Sequence, residues 1–142
     1  MALRVDMGMV KDGAQKGLKS TIELAKIVVP TTIVVTILRA SGLLDIVSGL
    51  CASFMSLFGL SGDAALVLIS GYLVNLYAAT GVIVALQLPL RETTILAVML
   101  GFAHSLLIEI MISKRAGSRI SVILPLRVGA SLLAGMILGG LL

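Results

Sequence analysis

Apolar positions along the chain gather into five blocks, at residues 21–38, 43–58, 64–86, 93–112 and 120–142, and the polar positions between them cluster in short turns. Crossing about 30 Å of hydrocarbon at about 1.5 Å per residue takes roughly 20 residues. The blocks therefore predict five membrane helices. The 43–58 block is short and carries Ser48, Gly49, Ser53 and Ser56, so it fits a re-entrant or protein-buried segment as well as a crossing. The turns Arg39-Ala40-Ser41-Gly42, Gly59-Leu60-Ser61-Gly62-Asp63, Leu88-Pro89-Leu90-Arg91-Glu92 and Lys114-Arg115-Ala116-Gly117-Ser118-Arg119 hold the helix breakers. Ser61 or Asp63 is placed to cap the third helix, and Arg91-Glu92-Thr93 opens the fourth.

Ahead of these blocks the period changes. Leu3, Met7, Val10, Ala14 and Leu18 recur at helical spacing, while Lys11, Asp12, Gln15, Lys16 and Lys19 fill the other arc. Residues 1–19 thus predict an amphipathic helix in the headgroup layer, followed by a single transmembrane domain over 20–142. A continuous apolar core with a small-residue cleavage pattern is missing there, which argues against a secretory leader. The expected fold class is all-α, a polytopic membrane bundle of about five transmembrane or re-entrant helices behind an interfacial helix.

Composition agrees. Of 142 residues, 58% are hydrophobic and 13% charged, too few charges to solvate a soluble surface. The net charge of +4 comes from basic residues lying between apolar blocks without interleaved aromatics, which suits membrane orientation and excludes a nucleic-acid partner. One cysteine, Cys51, and one histidine assemble neither an intrachain disulfide nor a Cys/His metal cluster, and nothing asks for a cofactor. Five crossings with the amino terminus in the cytoplasm put Arg4, Lys11, Lys16, Lys19, Lys114, Arg115 and Arg119 inside, against Arg39 and Arg91 outside. The expectation is a multi-pass protein of the cell (inner) membrane, amino terminus in and carboxyl terminus out.

Against this hydrocarbon background, Asn75, His104, Glu109 and Arg127 are costly at membrane depth and form the candidate substrate-binding site. Glu109 and Arg127 flank the same inner turn, so an ion pair across the fourth and fifth helices is expected; it serves a solute path or simply ties the hairpin together. His104 lies deeper, on a different arc from Glu109, where it either bonds a carbonyl or relays protons. Asn75 either binds solute or joins helices. Glu23 and Lys26 can snorkel to the inner headgroups, and Asp45 and Asp63 stand at helix starts, where carboxylates complement the dipole. On the last helix Ser131, Gly135 and Gly139 recur every fourth residue in line with Arg127, a small-residue stripe for packing another helix or an oligomer seam. Thr31-Thr32-Ile33 and Thr93-Thr94-Ile95 echo each other too briefly to establish an internal repeat.

The run Gly101-Phe102-Ala103-His104-Ser105-Leu106-Leu107-Ile108-Glu109, followed by Lys114-Arg115-Ala116-Gly117 and Leu124-Pro125-Leu126-Arg127, resembles the His-Ser…Glu…Gly…Arg pattern of the small nucleoside-recognition, or Gate-domain, membrane proteins of bacteria and archaea. Leu38…Ser41-Gly42-Leu43-Leu44, Leu57-Phe58-Gly59-Leu60-Ser61-Gly62 and Gly71 extend the likeness over most of the chain from about Leu18. Gate domains occur in nucleoside transporters, ferrous-iron transporters and paired spore-maturation membrane proteins. The resemblance therefore implies part of a transport machine, with His104, Glu109 and Arg127 as its polar positions, and leaves the cargo open. Cys51 lacks a Gly-Cys-x-x-Pro setting, and no GTP-binding region is attached, which speaks against iron.

Three function classes follow. The first is a transport protein or transporter subunit, working as an oligomer, that moves a nucleoside-like or other small polar or anionic solute with proton coupling. The second is a non-transporting assembly protein, a homo-oligomer or the companion of a related membrane chain. The third, an intramembrane enzyme, lacks HExxH, Gly-x-Ser-x-Gly or a close carboxylate pair. The expectation is no enzyme.

Overall fold

The computed structural model describes residues 7–142. Leu3 and Arg4 of the expected amino-terminal helix and inner charge set lie outside the described residues. From Met7 on, the amphipathic stretch and the first apolar block form one helix, α1 (Met7–Ala40), whose 34 residues reach about 51 Å at the α-helical rise. The helix continues unbroken through Lys19 and Ser20. Pro30 sits inside it, and the hydroxyls of Thr31 and Thr32 back-bond to the carbonyls of Ile27 and Val28.

Gly42, in the left-handed region at φ 73°, turns the chain into α2 (Leu43–Met55), which ends in a single 3₁₀ turn, Ser56–Phe58. Thirteen helical residues make only about 20 Å. Both ends of α2 lie at one face of the molecule: Leu43 follows the end of α1, and the Phe58 carbonyl abuts Gly139 near the end of the last helix. The 43–58 block is therefore no crossing.

The block at 64–86 departs from the expected single span. It is two short helices, α3 (Ala64–Leu73) and α4 (Leu76–Leu86), folded back on each other. A Cβ built on Gly71 would lie 3.2 Å from Cβ of Ala79, whereas positions eight apart in one straight helix are separated by about 12 Å. The reversal occurs at Val74 and Asn75. Asn75 is fully extended (φ −170°, ψ 172°), and its Oδ1 accepts the Ala78 N–H at 2.8 Å, starting α4 afresh. Each arm is about half a bilayer long.

The 93–112 block is interrupted as well. α5 (Leu90–Phe102) stops at Ala103, and α6 (Leu106–Arg115) starts after Ser105, which adopts φ 51°. After the Lys114–Arg119 turn, α7 (Ile120–Leu141) runs back antiparallel along α5, with Gly135 against Met99 and Arg91 reaching the Gly139 carbonyl at 2.9 Å. Three segments are long and apolar enough to span a membrane: α1, α5 with α6, and α7. Pairings set the directions. Ser61 meets Glu92 at the starts of α3 and α5, and Gly71 meets Leu100 toward their ends, so α3 runs with α5 and α4 against it. α1 runs with α4, since Ile27 neighbours Tyr77 and Thr31 neighbours Gly81. One face of the molecule thus carries the amino-terminal part of α1 and the Lys114–Arg119 turn. The other carries the turns after α1, α2 and α4 and the end of α7.

That second face is clasped by polar groups. The Glu92 carboxylate accepts the Ser61 N–H at 3.1 Å and the Ser61 hydroxyl at 2.6 Å, so α3 is opened by a neighbour's side chain; Asp63 makes no capping bond. The Arg91 guanidinium bonds the carbonyls of Gly59 and Gly139. The hydrophobic core, with Met55, Phe58, Val67, Ile95, Leu96, Met99 and Leu100 at its centre, lies between this face and the level of the two interruptions.

Candidate functional site

A helix that stops at membrane depth exposes amides at its new start and carbonyls at its new end, and each group left bare in hydrocarbon costs several kcal/mol. The two interruptions answer this by meeting. The Ser105 N–H, in the α5–α6 break, donates to the Gly71 carbonyl, near the end of α3, at 2.9 Å. Gly71 lets the two segments approach closely, since a Cβ there would press on the tip of the buried Leu100 side chain and force it to shift.

The carbonyls at the end of α5 take side-chain donors. The Ser131 hydroxyl donates to the Met99 carbonyl at 2.6 Å. With that proton used, the Tyr72 hydroxyl must donate to Ser131 Oγ, also 2.6 Å away. His104 Nδ1 lies 3.0 Å from the Leu100 carbonyl; a carbonyl only accepts, so Nδ1 carries a proton and donates it there, which leaves Nε2 outside this bond. Arg127 Nε donates to the Phe102 carbonyl at 3.0 Å.

The same guanidinium reaches across the break. Arg127 Nη1 lies 2.9 Å from Glu109 Oε1, the ion pair expected from the sequence, with both side chains largely but not wholly covered. Glu109 stands in the first turn of α6, where its charge also complements the helix dipole. Its second oxygen, Oε2, is buried and has no hydrogen-bond partner. Beside it is a cavity of about 10 Å3 walled by Leu106, Ser113, Ile123 and Arg127, room for about one water.

Of the four residues singled out, His104, Glu109 and Arg127 therefore gather at the α5–α6 break, on separate partners. Asn75 sits at the tip of the α3–α4 hairpin as a helix cap, joined to that break through Gly71 and Ser105. The small-residue stripe packs inside the chain: Ser131 and Gly135 are buried, Gly135 against the Met99 sulfur and Gly139 against the Phe58 carbonyl. Gly71 and Ser105, named from the sequence within the family resemblance, also take part, and Tyr72 is a participant that sequence reasoning missed. A tyrosine one turn before Asn75 in an otherwise aliphatic stretch was its only signal. Groups of three or more metal-ligating side chains do not occur among the described residues.

The nucleoside-recognition (Gate) family matches residues 21–119, about 70% of the chain and both interruptions. The chain belongs to that family. It is 40% identical to the membrane protein YvoD of Bacillus subtilis over 126 residues, which are 89% of this chain and 40% of YvoD. It is also 38% identical to the inner membrane protein YjiG of Escherichia coli K12 over 81 residues, 56% of this chain and 52% of YjiG. The chain thus spans about half or less of the length of these relatives. No solved structure matches it. Family and relatives together make this Gate-domain chain a membrane protein, in keeping with its apolar spans.

Proposed function

We propose that this chain is a protomer of a membrane transport protein, in which the joined interruptions of α3–α4 and α5–α6 form one wall of a site for a small polar or anionic, nucleoside-like solute. The observation that carries the reading is the Ser105–Gly71 contact: two half-length helices and one broken span bring unwound backbone, an ion pair and a histidine to one level of the molecule. Discontinuous helices of this kind place helix ends and free backbone groups at a solute near mid-membrane. Asn75 and Arg127 face the solute, and His104 through Nε2 and Glu109 through Oε2 take up or pass protons. The site works in an oligomer. The basic residues of α1 and the Lys114–Arg119 turn share one face, and this charge bias supports a cytoplasmic amino terminus and an outer carboxyl terminus.

One observation favours a second reading, a non-transporting assembly protein: the Arg127–Glu109 pair is closed, with space beside it for a single water. There the polar groups only rivet a broken helix. Purified protein in proteoliposomes separates the two. Transport predicts solute-dependent proton flux with a nucleoside panel, lost in His104→Ala and Glu109→Gln while oligomer size is unchanged. Equal flux in both variants removes the proton role, and no flux with any solute leaves the assembly reading.

A further inference from the structure

The polar side of α1 does not end at the membrane surface. At about 100° per residue, Asp12, Lys16, Lys19, Ser20 and Lys26 all fall within about 60° of Glu23 around the helix, whereas Ala14, Leu18, Thr21 and Ala25 lie on the opposite arc. The polar arc faces the hairpin tip. Ser20, Glu23, Leu24 and Ile27 border a recess of about 290 Å3 together with Tyr77, the second residue of α4, and Glu23 borders a second recess with Gln15, Lys19 and Lys26. Glu23 joins the two.

Depth makes this arc costly in lipid. Ile27 stands level with Tyr77, so Lys26 and Glu23 lie only about 1.5 and 6 Å from the tip along α1, while roughly 15 Å of hydrocarbon separates the tip from the surface on that side. Snorkelling does not bridge the remainder. Bare backbone collects at the same place: among the described residues the Leu76 and Tyr77 amides, the first two of α4, have no acceptor, and Pro30 withholds the N–H that would bond the Lys26 carbonyl. Such groups persist at membrane depth only against protein or a hydrated cavity. Water fits better, because the polar arc carries charges of both signs and runs unbroken from the tip to the amino-terminal end of α1.

We infer that the polar side of α1 lines a water-filled vestibule leading from the amino-terminal face of the molecule to the joined breaks, and that Glu23 and Lys26 are its deepest charges on that helix. A solute passes them on its way to Asn75 at the tip. Inside low-dielectric walls a nearby charge sets which sign of ion is concentrated, so Lys26 draws anions to the inner end of the vestibule and Glu23 opposes them. The two together tune entry by charge. The inference rests on the transport reading for the destination of the path, whereas the path itself is measured without any solute.

The test uses the full-length chain in membrane vesicles, in a Cys51→Ala background, with charged, impermeant methanethiosulfonates added on the side from which Lys16→Cys is labelled. A thiol reacts as its thiolate, which hydrocarbon suppresses. Ser20→Cys, Glu23→Cys, Ile27→Cys and Tyr77→Cys should therefore be labelled, whereas Thr21→Cys and Ala25→Cys, at matching depths on the opposite arc, should not. Equal membrane yields within the pairs Ser20→Cys with Thr21→Cys and Glu23→Cys with Ala25→Cys guard against misfolding. In Tyr77→Cys protein, Lys26→Gln should lower the rate of an anionic reagent relative to a cationic one, and Glu23→Gln should raise it. Labelling of both arcs alike, labelling of neither, or a rate ratio that neither charge change moves overturns the inference. A labelled arc in a protein that moves no solute counts against transport alone, and flux through a protein whose arc stays unlabelled counts against the vestibule alone.

Discussion

Arg127 and Glu109 are unequal partners. Arg127 serves two acceptors, Glu109 and the Phe102 carbonyl, whereas Glu109 has one protein partner. Arg127→Ala therefore orphans a buried carboxylate and a helix-end carbonyl together, while Glu109→Gln leaves the Phe102 bond in place. Removing one member of a covered pair costs more than removing both. The expected result is a larger loss of unfolding stability for Arg127→Ala than for Glu109→Gln, and a double Gln variant whose effect falls short of the sum by about 0.5–3 kcal/mol; strict additivity would mean that the two do not meet in the membrane. Asn75 offers a milder case. Asn75→Ala removes the cap of α4 and should cost about 1 kcal/mol, which Asn75→Asp should largely restore, read as the unfolding midpoint in detergent. The ion pair was legible from depth and spacing alone, because two opposite charges one or more turns from a shared turn have nowhere cheaper to go. The tasks of His104 and Ser131 were not. They depend on which carbonyls a helix break sets free, and the position of the break is a property of the backbone.

At the level of elements, hydropathy identified every apolar block but not the direction of the chain within it. Residues 64–86 read as one span because Leu, Val, Ile and Ala are equally apolar going down and coming back. The reversal is encoded in two polar or small positions, Gly71 and Asn75, which a hydropathy average discounts and which an extended cap and a close approach require. The α5–α6 break is similarly compact, held in Ser105 at positive φ and its bond to Gly71. The last helix was read better, since its small-residue stripe does permit close contact, although with α5 and the Phe58 turn of the same chain. Neighbouring glycines make this testable. A Cβ at Gly139 would strike the backbone of Phe58, whereas one at Gly140 meets nothing within 4 Å. Gly139→Ala should lower stability by about 1–3 kcal/mol through overpacking. Gly140→Ala should leave it unchanged or raise it by up to about 1 kcal/mol. Thermal unfolding of the two variants side by side checks the contact, and equal behaviour would show that α7 does not lie against that turn.

For the whole molecule, the five expected crossings give way to three segments long and apolar enough to cross, and each terminus keeps its side relative to the Lys114–Arg119 turn. Turning back the second block alone would have carried the Lys114–Arg119 turn to the opposite side and erased the charge bias. Turning back both the second and the third removes two crossings, and an even change preserves parity. The charge argument thus gives the same end-to-end arrangement for five crossings and for three, because it senses only which turns share a side. One turn separates the two arrangements. With five crossings and a cytoplasmic amino terminus, the turn holding Ser61 and Asp63 faces the cytoplasm. In the folded chain it lies on the face of the Leu88–Glu92 turn, held there by the Ser61–Glu92 and Gly59–Arg91 bonds. Asp63→Cys in a Cys51→Ala background should accordingly share the accessibility of a cysteine at Ser41 and oppose that of one at Ser118 when impermeant maleimide is added to intact cells. Asp63 makes no capping bond, so the substitution leaves the clasp intact. Protection of both Asp63→Cys and Ser118→Cys while Ser41→Cys is labelled would restore the five-span topology and remove the half-depth hairpin on which the joined site depends.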